Sequence, residues 1–191
     1  MKKSPSTQFS IKNLPLVLMP CLVSFPYMVQ EASAACGPSL GNIITCDDSS
    51  PQTTMILDHT DYPGPVGPQL IVDQNAIVNT GNSTALSFKN DYTVNINGTV
   101  QNNATGGGDG GYPGTGKNTI EALSNTTIIV GSTGQILATG TQRQSEGINL
   151  MGYANQIINN GTIWADNNAA IWFQDTTQGN GSYAQRNIVT N

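Results

Sequence analysis

Charge is scarce in this chain of 191 residues. Only 10% are charged, with 7 Lys+Arg against 12 Asp+Glu and a net charge of -5. Binding to phosphate backbones needs clustered positive charge, so nucleic acid is excluded as a partner. No basic amphipathic stretch is present to hold an anionic membrane surface. Histidine occurs once, as His59, and no G-x-S-x-G elbow accompanies it, so a Ser-His-Asp centre has no serine to use. The 3.6-residue period is also missing: no segment sustains it over ten positions, which excludes a helical solenoid. What remains is a low-charge chain rich in Gly, Asn and Thr. That composition suits many short strands joined by turns, in one modest domain.

The first 34 residues differ from the rest. Lys2, Lys3 and Lys12 precede an apolar run, Leu14 to Val29, and Ala32-Ser33-Ala34 supplies an A-x-A signal. This is the three-part pattern of a secretory signal peptide, with cleavage expected between Ala34 and Ala35. The run holds Pro15, Pro20 and Pro26 and is roughly 16 residues long, short of the ~20 that a membrane span needs. Export places Cys36 and Cys46 in an oxidising compartment, where a disulfide is expected between them. Closing so short a loop stabilises by about 2.5–3 kcal/mol in the chain-entropy model. Residues 35–68 then read as a disulfide loop followed by an irregular, proline-rich cap in which Thr54 to Leu57 forms one strand.

From residue 69 to residue 191 one figure recurs. Tyr92 to Asn103 (YTVNINGTVQNN) reads as a strand, an Asn-Gly corner and a second strand. It returns as Thr127 to Ala138, as Gln156 to Ala165 and, more weakly, as Leu70 to Val78. The corner markers Asn75, Gly98, Gly134 and Gly161 are spaced 23, 36 and 27, and the glycine is expected to supply a positive φ. The long interval contains a Gly-rich insert, residues 105–116. A third apolar patch precedes each figure, as in Ala85 to Phe88 and Ile120 to Leu123. Three short strands per period predict an all-β fold, a right-handed single-stranded parallel β-helix of about four coils. An antiparallel sandwich is the alternative. Val94, Val130 and Ile158 are expected to stack as one inward column, and Val100, Ile136 and Ile163 as another. Arg186 to Thr190 matches the strand before a corner, and no polar cap follows it, so the solenoid reads as truncated at its C-terminal side.

Chemistry-bearing motifs are weak. Gly111 to Lys117 (GYPGTGK) fits a phosphate loop, but Asn118 stands where Ser or Thr should follow and no strand precedes it. Gly106 to Gly111 fits G-x-G-x-x-G as any glycine run would, and Asp109 alone is too little for calcium. Asp58, His59 and Asp61 are the best acid/base candidates, while Arg143, Glu146 and Asp166 read as scattered, solvated turn positions. No catalytic residue, metal site or cofactor is expected. Asn75, Asn97, Asn159 and Asn160 suit stacked corners. Asn82, Asn97, Asn103, Asn125, Asn160 and Asn180 also begin N-x-[ST] sequons, read here as a by-product of Asn/Thr-rich turns. Trp164 and Trp172 are expected in core or rim packing.

A leader, a Cys36–Cys46 loop and repeats such as NINGTV and NNGTIWA resemble the start of a bacterial autotransporter passenger domain, over Ala35 to Asn191. The resemblance implies passage through the Sec machinery and display on the cell surface or outer membrane of a Gram-negative bacterium, or release from it. It also implies adhesion to a host-surface or matrix ligand, and a C-terminal translocator barrel in the full-length gene. No barrel strands follow the repeats in this chain. Two alternatives stand beside a structural or adhesive β-helix. One is a secreted polysaccharide-active enzyme on the same fold; the other is a non-functional remnant of a longer gene.

Overall fold

The computed structural model describes residues 36–40, 43–47, 55–57, 69–105, 117–141, 145–174 and 186–191. Ala34 and Ala35, Asp58, His59 and Asp61, Arg143, Asn180 and residues 106–116 of the insert lie outside the described residues.

Strand β1 (Gly37–Leu40) turns back on β2 (Ile43–Cys46) as an antiparallel pair, and every later pairing is parallel. After β3 (Met55–Leu57) the chain lays down three strands per coil. These are β4 (Gln69–Val72), β5 (Ile77–Asn79) and β6 (Leu86–Asn90), then β7 (Thr93–Ile96), β8 (Thr99–Asn102) and β9 (Ile120–Ser124). The next coil holds β10 (Thr127–Val130), β11 (Gln135–Ala138) and β12 (Ile148–Leu150). Strands β13 (Gln156–Asn159), β14 (Thr162–Ala165) and β15 (Ile171–Phe173) make another, and β16 (Ile188–Thr190) begins one more.

Equivalent strands pair coil to coil into three sheets. Sheet A runs β1-β2-β4-β7-β10-β13-β16, sheet B runs β15-β12-β9-β6-β3, and sheet C runs β14-β11-β8-β5. The fold is a parallel β-helix, all-β with no helix among the described residues. Its ladder starts ahead of the clear sequence repeats: β2 already pairs in parallel with β4, and β3 with β6. A sulfur–sulfur bond joins Cys36 to Cys46, whose Cα atoms are 4.1 Å apart.

Alternation puts every second side chain inside. Leu70, Val94, Ile128 and Ile157 form one fully buried column in sheet A. Val100, Ile136 and Ile163 stack in sheet C as expected, and Leu86, Ile120 and Ile148 stack in sheet B. Each fully buried side chain among these contributes about 1.5–3 kcal/mol. The expected column of Val94, Val130 and Ile158 does not form. Val130 lies beside Ile96, and Ile158 lies beside Ile129 on the outward face. The cause is the corner length. The chain turns from sheet A to sheet C through Asn97-Gly98 in one coil and through Gly131 to Gly134 in the next. Counting back from the glycine therefore slips by two residues at Val130. Ile158 is one residue off Ile157, and a one-residue slip reverses the face.

Two expectations about the corner are also overturned. Because Ile77 pairs with Thr99, the residue equivalent to Gly98 is Ala76, not Asn75. Nor is positive φ the reason for the glycines: among the described residues it occurs at Asp91, Asn125, Ala154, Arg186 and Gly81, none of them at this corner. The glycines are needed because the coil beneath is too close. A Cβ on Gly98 would lie 2.4 Å from the Ala76 carbonyl oxygen, one on Gly134 2.1 Å from that of Ile96, and one on Gly161 2.3 Å from that of Gly134. Hydrogen bonds continue around the bend, from Thr99 N–H to Ala76 O at 2.9 Å and from Gln135 N–H to Gly98 O at 2.9 Å.

Left-handed residues mark a different turn, the one from sheet B into sheet A. Asp91, Asn125, Ala154 and Arg186, with φ of 62, 55, 56 and 58°, each stand two residues ahead of a sheet A strand. Asparagines brace this turn. Asn155 Oδ1 accepts from the N–H of Thr126 one coil earlier at 3.0 Å, and its Nδ2 donates to Leu123 O at 3.0 Å. Asn187 repeats the same pair of bonds to Asn155 N–H at 2.8 Å and Gly152 O at 3.0 Å.

Candidate functional site

The outward face of sheet B and the residues just ahead of its strands carry most of the buried polar side chains among the described residues. Leu86 and Phe88 point into the core, so Ser87 lies on the other side of the strand. Register places Ser87, Glu121, Asn149 and Trp172 in one outward column across four coils. Thr84, Asn118 and Glu146 stand three residues ahead of the first three.

Glu121 is 1% exposed and sits at the centre. Its Oε1 accepts from Thr84 Oγ1 at 3.1 Å and from Asn118 Nδ2 at 3.3 Å, and its Oε2 accepts from Ser87 Oγ at 3.4 Å. Asn118 also reaches forward, accepting at Oδ1 from the N–H of Glu146 at 3.1 Å. Glu146 is 2% exposed, and its Oε1 accepts from Asn168 Nδ2. Asn149 donates through Nδ2 to Gln174 Oε1 at 2.7 Å, while its Oδ1 meets no donor among the described residues. Below this cluster Ser145 Oγ donates to Lys117 O at 2.7 Å, and Asn102 donates to the same carbonyl.

Charge-assisted donors are what make buried carboxylates tolerable. Here Thr84 and Ser87 donate to Glu121 from the preceding coil and Asn168 to Glu146 from the next, so the cluster ties the coils together laterally. It keeps the two carboxylates away from solvent, where a substrate would have to meet them. Glu146 is therefore not the solvated turn residue expected from sequence; it is buried because Asn118 and Asn168 hold it from the coils on either side. Asp166 does remain exposed, accepting from Trp164 Nε1 at 2.7 Å.

The aromatic residues reverse the packing expectation. Trp164 is 55% exposed on the outside of sheet C, beside Leu137, because it takes an outward position in β14. Trp172 is 39% exposed at the end of the Ser87–Glu121–Asn149 column. Tyr153 and Phe173 are exposed as well.

Of the residues singled out by sequence, Cys36 and Cys46 are bonded, and Gly98, Gly134 and Gly161 form one corner column with Ala76. Asn75 lies exposed in the turn before Ala76. Sequence reasoning missed Glu121, Asn118 and the bracing Asn155 and Asn187. The available signal was the repeated Asn immediately before Gln156 and Ile188. No group of three or more His, Cys, Asp or Glu side chains suited to a metal occurs among the described residues. Comparison with family models, with curated proteins and with solved structures found no match for this chain.

Proposed function

We propose that the chain is a structural or adhesive β-helix, exported and displayed as the start of an autotransporter-type passenger. The observation that carries the reading is the contrast on its surface. Glu121 and Glu146 are sealed and hydrogen-bonded, whereas Trp164 and Trp172 stand open on the outward faces. Exposed aromatic rings offer large contact area at small entropic cost, which suits a host-surface or matrix ligand. The Cys36–Cys46 bond supports an oxidising destination, hence Sec export and a cell-surface, outer-membrane or extracellular location. On this reading no catalysis is involved, and a translocator barrel belongs to the full-length gene.

A polysaccharide-active enzyme is the second reading, favoured by the presence of Glu121 and Glu146 on adjacent coils. One experiment separates the two. Beads coated with the disulfide-bonded chain are tested for attachment to matrix-coated and cell-coated surfaces, and the same protein is incubated with polysaccharides. Attachment lost in W164A/W172A, with no new reducing ends released, is the expected result. Reducing ends that disappear in Glu121→Gln would instead establish the enzyme.

A further inference from the structure

We infer that the N-x-[ST] asparagines of this chain are acceptor sites for N-linked sugar, carried at the bends of the coils. Five of the six sequons have a described asparagine: Asn82, Asn97, Asn103, Asn125 and Asn160. All five are exposed. The buried asparagines Asn102, Asn118, Asn149 and Asn155 are each outside a sequon. Composition alone gives no reason for that division.

The second observation concerns a single atom. Glycosyl transfer uses the carboxamide nitrogen, and in these five residues Nδ2 makes no hydrogen bond among the described residues. In two of them the oxygen is the engaged arm. Asn82 Oδ1 accepts from the Thr105 N–H at 3.0 Å. Asn103 Oδ1 accepts from Gln101 Nε2 at 2.9 Å and from Thr139 Oγ1 at 3.3 Å. Anchoring the oxygen of a planar amide leaves its nitrogen turned outward. Outside the sequons Asn118, Asn149, Asn155, Asn159, Asn168 and Asn187 spend the same nitrogen on the fold, whereas among the described residues Asn75, Asn79, Asn90 and Asn95 do not.

Placement agrees with the atom. Asn97 and Asn160 occupy the tight A-to-C corner, Asn82 and Asn103 the C-to-B loop, and Asn125 the left-handed B-to-A turn. None lies within a strand. A bulky hydrophilic group at these points leaves the ladders and the outward sheet faces untouched.

The co-reactant is a sugar activated at its anomeric carbon as a diphosphate ester, and a cellular glycosyltransferase is the catalyst. The nitrogen attacks the anomeric carbon and a C–N bond forms. The C–O bond to phosphate breaks and the diphosphate leaves with the electron pair. The nitrogen gives up one proton, and no oxidation state changes. The inference stands apart from the adhesion reading, because it needs only that the chain meet such an enzyme.

The test is intact-mass and glycopeptide analysis of the full chain recovered from its native cells. Sugar increments are expected on the sequon asparagines and on neither Asn75 nor Asn167, which are exposed but outside sequons. Replacing Asn82, Asn97, Asn103 and Asn160 by Gln should remove every increment except those at Asn125 and Asn180. An unmodified mass from native cells overturns the inference, and so do increments that persist on non-sequon asparagines in the variant.

Discussion

Two bends in each coil meet opposite problems. At the corner from sheet A to sheet C the obstacle is the carbonyl of the coil beneath, and the solution is to have no side chain there. At the turn from sheet B to sheet A the obstacle is the backbone angle itself. Its solution is a left-handed residue, Asp91, Asn125, Ala154 or Arg186, held between hydrogen bonds that run to the neighbouring coil. At these two bends glycine is thus used for closeness and not for φ, while the strained angle falls to residues with a Cβ. The lesson is that a repeated glycine in a solenoid reports contact between coils, and that strain can be carried where the sequence shows no common residue.

The largest expected effect comes from putting a side chain into the corner. In Gly134→Ala the new Cβ would sit 2.1 Å from the Ile96 carbonyl oxygen, a backbone atom with no freedom to move aside. One coil must separate from the next, and the Gln135-to-Gly98 bond goes with it. A loss of about 3–4 kcal/mol is expected, at the severe end of single substitutions. Urea unfolding measures it; a loss under about 1 kcal/mol would mean that the coils do not touch at this corner.

Removing the first bond of the chain comes next. Cys36→Ser with Cys46→Ser releases a loop whose cysteines are 10 residues apart, worth about 2.7 kcal/mol in the chain-entropy model. The loss should equal that of the wild type under reductant. A variant as stable as the oxidised chain would show that β1 and β2 hold themselves.

On the other side of the comparison, Asn155→Ala strips the brace from the left-handed turn. The N–H of the fully buried Thr126 and the carbonyl of Leu123 both lose their partner. An unmet buried donor costs about 1–3 kcal/mol, so a loss of about 2 kcal/mol is expected. Hydrogen exchange should locate it, with the Thr126 amide losing protection before those of β10.

Much of this architecture was legible and some was not, for reasons that follow from the same two bends. Strand positions could be read because period-2 alternation survives in short pieces such as Thr93 to Ile96. The glycine corner could be read because its residue type repeats, although its physical role was misassigned and its register slipped where Gly131 to Gly134 is longer than Asn97-Gly98. The left-handed turn could not be read, since Asp91, Asn125, Ala154 and Arg186 share an angle and no chemistry. Glu121 and Glu146 were invisible as a pair because Thr84, Ser87 and Asn168, which bond them, lie in other coils. Trp164 and Trp172 were misplaced because an aromatic residue in a strand shows its face only once register is known.

The smallest effect sharpens the comparison most, because its sign is at stake. Ala154 sits at φ 56° and is exposed, so replacing it with glycine removes little buried surface. A left-handed angle costs an L-residue about 1–2 kcal/mol, which glycine does not pay. Against this, glycine makes the unfolded chain more flexible by about 0.5–1 kcal/mol. The balance is a stabilisation of about 0.5 kcal/mol, opposite in sign to Gly134→Ala twenty residues earlier. The urea midpoint should rise while the slope of the transition stays the same, since neither state changes the surface it exposes. If Ala154→Gly instead lowers the midpoint, the turn is held by the alanine methyl and not merely burdened by its angle. The division between a corner that needs closeness and a turn that bears strain would then fail at its most direct test.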